Sequence, residues 1–200
     1  MTNLLETNRL RLRAFSSSDA DRLCELDNDA DVMRWINGGI PVSKEAIRQE
    51  ILPFFLRYDD ALPGCGFWVG LEDKDSHEFL GWCCMRLKQN SLTDASIGYR
   101  FLPRAWGKGF ATEATNALMD IGFSTLGLVN ILASAYEKNL ASISVMKKLG
   151  LTFVKTFRFE VLSQDTSMQD SEAVWDGVDV EYVIHRSVWL ERKMMAGNVS

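Results

Sequence analysis

The sequence predicts a mixed α/β domain, and three observations support this fold class. Segments with an apolar residue at every second position, the spacing of a half-buried strand, intermix along the chain with segments of helical spacing. A hydrophobic content of 46% is enough for a sizeable core. The length of 200 residues fits one domain, which we place at residues 1 to 192, with a flexible tail at residues 193 to 200.

The first half of the chain predicts strands and two helices. Leucine alternates with arginine over residues 9 to 13, which predicts a strand with one solvated face. Residues 16 to 29 combine an N-cap cluster with helical spacing, and Ser43 can cap a second helix that is interrupted near Pro53. Two apolar runs within residues 66 to 87 flank a polar turn and predict a β-hairpin.

The second half predicts strands that alternate with helices. A strand at residues 95 to 102 runs directly into a glycine turn, and the helix after this turn ends near Gly127. The remaining elements, in order, are a strand at residues 128 to 136, a helix at 139 to 150 and strands at 151 to 159 and 177 to 189. This order predicts a mixed sheet flanked by helices.

Composition excludes some classes of function. The net charge of −5 argues against a nucleic-acid binder that acts by broad phosphate neutralisation, and it favours cationic partners such as amines. The 4 cysteines have no C-x-x-C spacing, so we expect reduced, mostly buried thiols and no metal site. Cys83 and Cys84 would face opposite sides of a strand. Charged residues interrupt the N-terminus and the run "ILPFFL" is too short for a bilayer, so we expect a cytoplasmic protein without membrane contact.

The glycine turn "RAWGKGFATEA" is a candidate anion site. Gly107 and Gly109 lack Cβ atoms where the chain enters a helix, so backbone N–H groups can converge on a phosphate there. Arg104 and Lys108 would add positive charge. The alternative is that the glycines only permit a tight turn. The spacing fits neither a P-loop nor the dinucleotide-binding fingerprint, which disfavours a nucleotide-binding regulatory domain.

The segment from Arg104 to Gly109 is similar to the [QR]-x-x-G-x-[GA] signature of the GNAT superfamily of acyl-CoA-dependent N-acetyltransferases. The segments "NLASISVMKKLGL" and "GVDVEYVIHRSVW" extend the likeness to the subgroup with the bacterial ribosomal-protein alanine N-acetyltransferases, over about residues 3 to 190. The resemblance implies a central, mostly antiparallel, splayed sheet flanked by helices. It also implies direct transfer of an acetyl group from acetyl-CoA, the co-substrate, to an amine.

The resemblance implies a coenzyme site around the glycine turn. The strand before the turn would carry a bulge and splay from its neighbour, so that the pantetheine arm could pair with its backbone. The pyrophosphate would contact N–H groups of the turn, and two residues at the start of the helix at residues 139 to 150 would face the coenzyme arm. The implied coenzyme-binding residues are Phe101, Leu102, Arg104, Trp106, Gly107, Lys108, Gly109, Phe110, Ala111, Thr112, Asn139 and Ser142.

The catalytic groups are only partly implied. The backbone N–H of Phe101 would polarise the thioester carbonyl, and Ser142 would donate a hydrogen bond to the leaving thiolate. Many relatives carry a glutamate where this chain has Ser96 and a tyrosine where it has Met146, and neither substitute can transfer the required proton.

The general base is sought on the last strand. Asp179, Glu181 and His185 are candidates, of which we select Glu181. The alternative is that these residues are only the polar side of an ordinary edge strand.

An α-amino group, such as a protein N-terminus, is the favoured acceptor. Without a strong base, an amine with a pKa of about 7.7 to 8.0 is easier to neutralise than a lysine with a pKa of about 10.4. A polyamine, an amino acid or an aminoglycoside stays open as the acceptor, as does a non-catalytic acyl-CoA sensor. The acceptor pocket would be built by residues 35 to 55 and by loops near Lys88 and residues 163 to 177. A monomer and a homodimer are both compatible with the sequence.

Overall fold

A computed structural model describes residues 4–58, 65–72, 77–158 and 177–197. The strands are β1 (Leu4–Glu6), β2 (Leu10–Ala14), β3 (Gly66–Glu72), β4 (Glu78–Leu87), β5 (Asp94–Phe101), β6 (Asn130–Tyr136), β7 (Thr152–Phe157) and β8 (Asp179–His185). They form one 8-stranded sheet in the order β1-β2-β3-β4-β5-β6-β8-β7. Neighbouring strands are antiparallel except β5 and β6, which are parallel, so the predicted mixed, mostly antiparallel sheet is confirmed.

Helices cover both faces of the sheet. They are α1 (Ala20–Asp27), α2 (Ala30–Met33), α3 (Lys44–Ala46), α4 (Leu52–Tyr58), α5 (Phe110–Asp120), α6 (Leu140–Lys148) and α7 (Arg186–Gly197). On one face, Ala114 and Leu118 of α5 pack in the larger buried cluster together with Met146 of α6. On the other face, Leu23 of α1 and Phe55 of α4 belong to a second cluster. None of the helices within the described ranges is long and apolar enough to cross a membrane.

The neighbouring residues Cys83 and Cys84 show how β4 serves both cores. Cys83 is buried in the larger cluster and Cys84 in the second one. Successive side chains of a strand point to opposite faces, so the predicted opposite orientation of this pair is confirmed.

The second predicted helix is not broken at Pro53. Ser43 caps its start by accepting a hydrogen bond from the backbone N–H of Ala46 at 3.0 Å. A π-helical segment, Ile47–Ile51, then joins α3 to α4, and Pro53 is the second residue of α4. Proline has no amide hydrogen to donate, and the change of hydrogen-bond register just before it lets the helix continue.

The C-terminal prediction was wrong in one respect. The last strand ends at His185 rather than at residue 189, and α7 follows without a break. The ring Nδ1 of His185 lies 2.9 Å from Ser187 Oγ and accepts from Ser187 N–H at 3.2 Å, so the histidine caps the helix in place of the usual short polar residue. Residues 193 to 197, expected in a flexible tail, lie in α7, whereas residues 198 to 200 lie outside the described residues.

Two short elements were absent from the prediction. Strand β1 has three residues and helix α2 has four. Elements this short do not show the alternation of a strand or the 3.6-residue repeat of a helix clearly enough to be recognised in a sequence. Asp29 nevertheless caps α2, accepting hydrogen bonds from the backbone N–H groups of Asp31 and Val32.

Strands β5 and β6 separate, and this separation creates the site. Asp94–Ser96 pairs with Asn130–Leu132, and beyond this stretch these two described strands have no further register pairs. Among the described strands, the C-terminal half of β5 therefore pairs with β4 alone.

The bulge expected in β5 is absent. Its register with β4 is continuous from Ala95 to Phe101, and the shift lies instead between β3 and β4. Gly81 of β4, with φ of 150°, lies at this shift. A Cβ atom there would be 2.1 Å from the carbonyl oxygen of Arg100, so only glycine allows β5 to approach this closely. The register shift therefore lies in the pairing of β4 with β3, and Gly81 at this shift lets the end of β5 pack closely against β4.

Candidate active site

The glycine turn leaves the start of α5 open to an anion. Gly107 and Gly109 have φ of 72° and 82°, in the left-handed region that favours glycine. Gly109 is the N-cap residue of α5, and no side chain of the described part of the chain caps this helix. The first N–H groups of a helix lack intrahelical partners, and here they remain available to a ligand.

The two cations predicted beside this turn do not occupy equivalent places. Arg104 forms ion pairs with Glu25 at 2.6 Å and with Glu78 at 2.8 Å, and it also donates to the carbonyl of Phe79. The guanidinium of Arg104 is therefore directed towards α1 and β4. Lys108 is exposed and contributes its carbonyl oxygen to the turn structure.

Arg9 is a cation of the turn that sequence reasoning missed. Its Nη1 donates to the carbonyl of Lys108 at 3.0 Å, and its guanidinium lies 4.5 Å from the ring centroid of Phe110. It also pairs with Glu113 at 2.7 Å. Arg9 precedes β2 by one position, and no local pattern indicates that this end of β2 meets the start of α5.

Glu113 braces the turn. It accepts hydrogen bonds from Thr7 Oγ1 at 2.6 Å and from the backbone N–H of Arg9 at 2.8 Å. Burial alone would raise the pKa of Glu113, but these hydrogen bonds and the Arg9 charge outweigh it and lower the pKa below its usual value. The carboxylate is thus fully engaged between β2 and α5.

A cavity of about 350 Å³ lies beside the C-terminal half of β5, beyond the residues at which β5 pairs with β6. Its lining comes from both faces of the sheet: Asn139 and Ser142 at the start of α6 on one side, and Val32, Trp35 and Ile36 in and after α2 on the other. The glycine turn and residues 99 to 101 of β5 complete the wall. This volume is within the usual range for a small-molecule site.

The backbone of Phe101 faces the gap. Leu102 N–H donates to the carbonyl of Leu80 at 2.8 Å, which makes Phe101 and Gly81 a non-hydrogen-bonded pair of the antiparallel ladder. The N–H and carbonyl of Phe101 therefore point away from β4. The carbonyl accepts from the indole Nε1 of Trp106 at 2.6 Å, and the N–H is directed towards the side on which β6 lies. Leu102, by contrast, uses its N–H within the sheet.

Ser142 lies beside a tyrosine that sequence reasoning did not select. Tyr99 Oη is 3.0 Å from Ser142 Oγ and donates to the carbonyl oxygen of Ser142 at the same distance. Burial raises the pKa of Tyr99 to about 12, while the hydrogen bond with Ser142 lowers it. The phenol is therefore protonated at neutral pH. Asn139 caps α6 by accepting from Ser142 N–H at 3.1 Å.

The carboxylate selected as general base is occupied. Glu181 pairs through one oxygen with Lys88 at 3.4 Å and through the other with Lys155 at 3.8 Å. It does not line the cavity. The third candidate, His185, uses its ring to cap α7.

Asp179 has a different environment. The residue is 8% exposed, and burial raises the pKa of its carboxyl. In the register of the sheet Asp179 lies opposite Tyr136, whose ring centroid is 6.0 Å from that of Trp35 on the cavity wall. A carboxylate with a raised pKa is a stronger base.

The wall on the side of α1 and α2 contains a buried ion pair. Arg100 Nη1 is 2.5 Å from Asp27 Oδ1, and the guanidinium lies 5.3 Å from the ring centroid of Trp82. Of the segments predicted to build the acceptor pocket, Trp35 lines the cavity and Lys88 reaches Glu181, whereas residues 163 to 176 lie outside the described residues.

The cavity brings together most of the predicted coenzyme residues. Those in its wall are Phe101, Trp106, Gly107, Gly109, Phe110, Ala111, Thr112, Asn139 and Ser142. Leu102, Arg104 and Lys108 do not line it. Across the four described ranges, no group of three or more His, Cys, Asp or Glu is arranged to hold a metal ion.

Comparison with known proteins identifies the family. The Acetyltransferase (GNAT) domain family matches residues 9–152. The FsC-acetyl coenzyme A-N(2)-transacetylase of Aspergillus fumigatus is 28% identical over 193 residues, which cover 93% of this chain and 77% of that protein.

Solved structures share the fold. A GNAT acetyltransferase from Bacillus anthracis superposes with a TM-score of 0.75 at 22% identity, over 92% of this chain and 99% of its own. RimL, a ribosomal L7/L12 alpha-N-protein acetyltransferase, superposes with a TM-score of 0.71 at 17% identity, over 92% and 95%. The family match and the cavity between separated strands lead to one conclusion: the chain belongs to the GNAT family and is an acyl-CoA-dependent N-acetyltransferase.

Proposed function

We propose that this enzyme transfers the acetyl group of acetyl-CoA to an α-amino group, such as that of a protein N-terminus or an amino acid. The observation that carries the proposal is the cavity beside the C-terminal half of β5, which is lined from both faces of the sheet. The coenzyme would approach from the side of the glycine turn and α6. The amine would approach from the side of α2, so that both meet at the backbone of β5.

The backbone N–H of Phe101 would stabilise the oxyanion. Attack of the neutral amine on the thioester carbon forms the C–N bond and places negative charge on the carbonyl oxygen. Collapse of this intermediate breaks the C–S bond and releases the coenzyme thiolate, while the amine nitrogen loses a proton to a base. A fixed backbone donor needs no reorganisation as the charge develops.

Ser142 would stabilise the leaving thiolate by donating a hydrogen bond to it, and Tyr99 would hold the Ser142 hydroxyl in place. The pKa of Tyr99 is raised to about 12, above the value of about 8.5 for an ordinary thiol, so the phenol is too weak an acid to protonate a thiolate outright. Tyr99 can instead fix the hydroxyl of Ser142, which lies 3.0 Å away. The proton that finally neutralises the thiolate then originates from the amine.

Asp179 is our candidate for the general base, in place of Glu181. Its buried carboxyl has a raised pKa, whereas both oxygens of Glu181 are paired with lysines. Asp179 would act through water, because it does not line the cavity itself.

Two considerations support an α-amino acceptor. The pKa of an α-amino group, about 7.7 to 8.0, leaves a substantial neutral fraction at physiological pH, whereas a lysine with a pKa of about 10.4 is almost fully charged. The Aspergillus relative is named for transfer to an N(2) nitrogen, the number that the α-amino nitrogen carries in an α-amino acid.

The test compares two peptides of one sequence at neutral pH with saturating acetyl-CoA. One has a free N-terminus and acetylated lysines, and the other has an acetylated N-terminus and one free lysine. Mass spectrometry of the products should show faster acetylation of the free N-terminus. Faster acetylation of the lysine peptide would contradict the proposal.

A further inference from the structure

The side chain of Arg100 lies on the acceptor side of the cavity. Tyr99 and Phe101 pack against the core that contains α5 and α6, and Arg100, between them in β5, points to the opposite face. There it contacts Asp27 of α1 and the sulfur of Met33 in α2. Arg100 is thus separated by the sheet from Ser142, yet both line the same cavity.

The guanidinium of Arg100 is only partly used. Its Nη1 donates to Asp27 Oδ1, and Nη1 also lies 3.7 Å from the sulfur of Met33. Its Nε, by contrast, is buried with no hydrogen-bond partner among the described residues. The side chain is 17% exposed and that of Asp27 is 2% exposed, so the pair is fixed at the wall rather than free in solvent.

The pair with Asp27 explains the position of the arginine and uses Nη1, whereas Nη2 forms no hydrogen bond among the described residues, and the side chain keeps 17% of its surface exposed where it lines the cavity. An arginine fork matches a carboxylate or carbonyl oxygen in its plane, and the ring of Trp82 at 5.3 Å supports that plane from one side.

We propose that Arg100 binds the oxygen adjacent to the reacting α-amino group, either the carbonyl of a peptide N-terminus or the carboxylate of an amino acid. This inference rests on the proposed α-amino acceptor and specifies how that acceptor is recognised. Arg100 is then a specificity-determining residue, and Asp27 is the positioning residue that orients it.

Arg86 provides a matched control. It is also an arginine of the sheet whose Nε is buried without a hydrogen-bond partner among the described residues. Opposite Ser96 in the ladder, it lies on the same face as Arg100 but does not line the cavity. Arg100→Lys and Arg86→Lys both retain a positive charge and remove the planar fork.

The experiment measures kcat/KM for three sets of acceptors that share the same side chains: α-amino acid amides, free α-amino acids and the corresponding monoamines without the carbonyl carbon. For each compound, kcat/KM of the variant is divided by kcat/KM of the wild type. The pKa of the amine is the same in both measurements and therefore does not affect this ratio. Arg100→Lys should lower kcat/KM about 10-fold or more for amides or amino acids, mainly through KM, because a hydrogen bond to a charged group is lost. Monoamines should be unaffected, and Arg86→Lys should alter no set.

The outcomes distinguish a peptide carbonyl from a carboxylate as the source of the oxygen. They also distinguish failure of the inference about Arg100 from failure of the proposed α-amino acceptor. A larger loss for amides identifies a peptide carbonyl, and a larger loss for amino acids identifies a carboxylate. An equal loss for all three sets, monoamines included, means that Arg100 is only structural and overturns the inference alone. Failure of the wild-type enzyme to acetylate any α-amino compound overturns the proposed function together with the inference.

A measurement on the wild type keeps the inference testable if Arg100→Lys fails to fold. With rates expressed per neutral amine, wild-type kcat/KM should be higher for the amides or amino acids than for the monoamines. Equal values would contradict a contact with the neighbouring oxygen.

Discussion

At the residue scale, the pair of Ser142 and Tyr99 combines one residue that the sequence could indicate and one that it could not. Ser142 followed from the family resemblance. Tyr99 stands only two positions before Phe101 and shares its face of β5, but its hydroxyl meets a residue 43 positions later in the chain. Such a contact depends on how α6 packs over the sheet, which local patterns do not contain.

We expect Ser142→Ala to lower kcat by about 10- to 100-fold with little change in acetyl-CoA affinity, since the lost hydrogen bond strengthens only as the thiolate forms. Tyr99→Phe should lower kcat less. In a double-mutant cycle the Tyr99 substitution should have no further effect once Ser142 is alanine, because the phenol acts through that hydroxyl. Independent, additive losses in steady-state kinetics would refute this coupling.

Asp179→Asn should lower kcat/KM by about 100-fold or more and remove the part of its decline at low pH that comes from protonation of Asp179, while the part that comes from protonation of the acceptor amine stays. The pKa of Asp179 is raised, so the carboxyl accepts protons at a higher pH than an ordinary aspartate, and the wild-type rate should fall as the pH drops through that pKa. The pH dependence of kcat/KM provides the measurement. A larger loss in Glu181→Gln than in Asp179→Asn would instead favour the carboxylate chosen from the sequence.

At the element scale, the glycine turn was predictable because its residues are contiguous and their spacing is diagnostic. The ion pair that holds the turn in place was not predictable, because Arg9 and Glu113 are more than one hundred positions apart in the chain. The same reason explains why the ion pairs of Arg104 were not predicted. A basic residue at the start of the turn indicated a coenzyme contact, but two carboxylates from other elements lie close enough to engage it.

For the turn itself we expect Gly109→Val to weaken acetyl-CoA binding and Gly109→Asn to retain most of it. Gly109 has φ of 82°, a conformation that asparagine tolerates and valine does not. Space is not the reason, because the nearest atom to an added Cβ is Arg9 Nη2 at 3.5 Å. Calorimetric titration with acetyl-CoA would measure both affinities. Unchanged affinity in a folded Gly109→Val variant would exclude the turn as the coenzyme site.

Gly81→Ala should destabilise the fold by about 3 kcal/mol, because the new Cβ would overlap the backbone of β5 at Arg100 and Phe101. Gly98→Ala is the matched control in the adjacent strand, where the Cβ would meet side-chain atoms and no backbone, the nearest being Cys84 Sγ at 3.1 Å. Urea unfolding should show the larger loss of unfolding free energy for Gly81→Ala. Equal losses would mean that β5 can shift without consequence.

At the scale of the whole molecule, the sequence predicted the fold through order and resemblance together. The order of strands and helices indicated a mixed sheet, and the family signature supplied the separation of β5 and β6 that no periodicity encodes. Periodicity failed where an element was too short, as in β1 and α2, or where a histidine served as a cap before α7. The single domain over residues 1 to 192 and the oligomeric state stay predictions.

Asp19 should make the free energy of unfolding depend on pH in the acidic range. It is fully buried between Arg13 of β2 and Arg22 of α1. Burial opposes its ionisation, but hydrogen bonds from Arg13, Ser16 and Arg22 hold its pKa far below the usual value. The stabilisation is therefore complete above the unfolded-state pKa of about 3.9 and is lost as the pH falls below it.

We accordingly expect Asp19→Asn to lower the unfolding free energy by about 3 kcal/mol at pH 7. The difference from the wild type should shrink progressively below pH of about 4. Urea unfolding at a series of pH values provides the measurement. A difference that is constant down to pH of about 2 would show that the ionised carboxylate is not what stabilises this junction.

Because of where the cysteines lie, we expect thiol reagents to react only slowly with the folded protein. Cys24, Cys65, Cys83 and Cys84 are all buried, and burial raises the pKa of Cys84 to about 11. Thiolates are the reactive species, so a disulfide reagent added during turnover should count the released coenzyme with little background from the native chain. Cys83 and Cys84 also belong to opposite cores. Their separate labelling rates in denaturant would report whether the two layers of the molecule open together or one after the other.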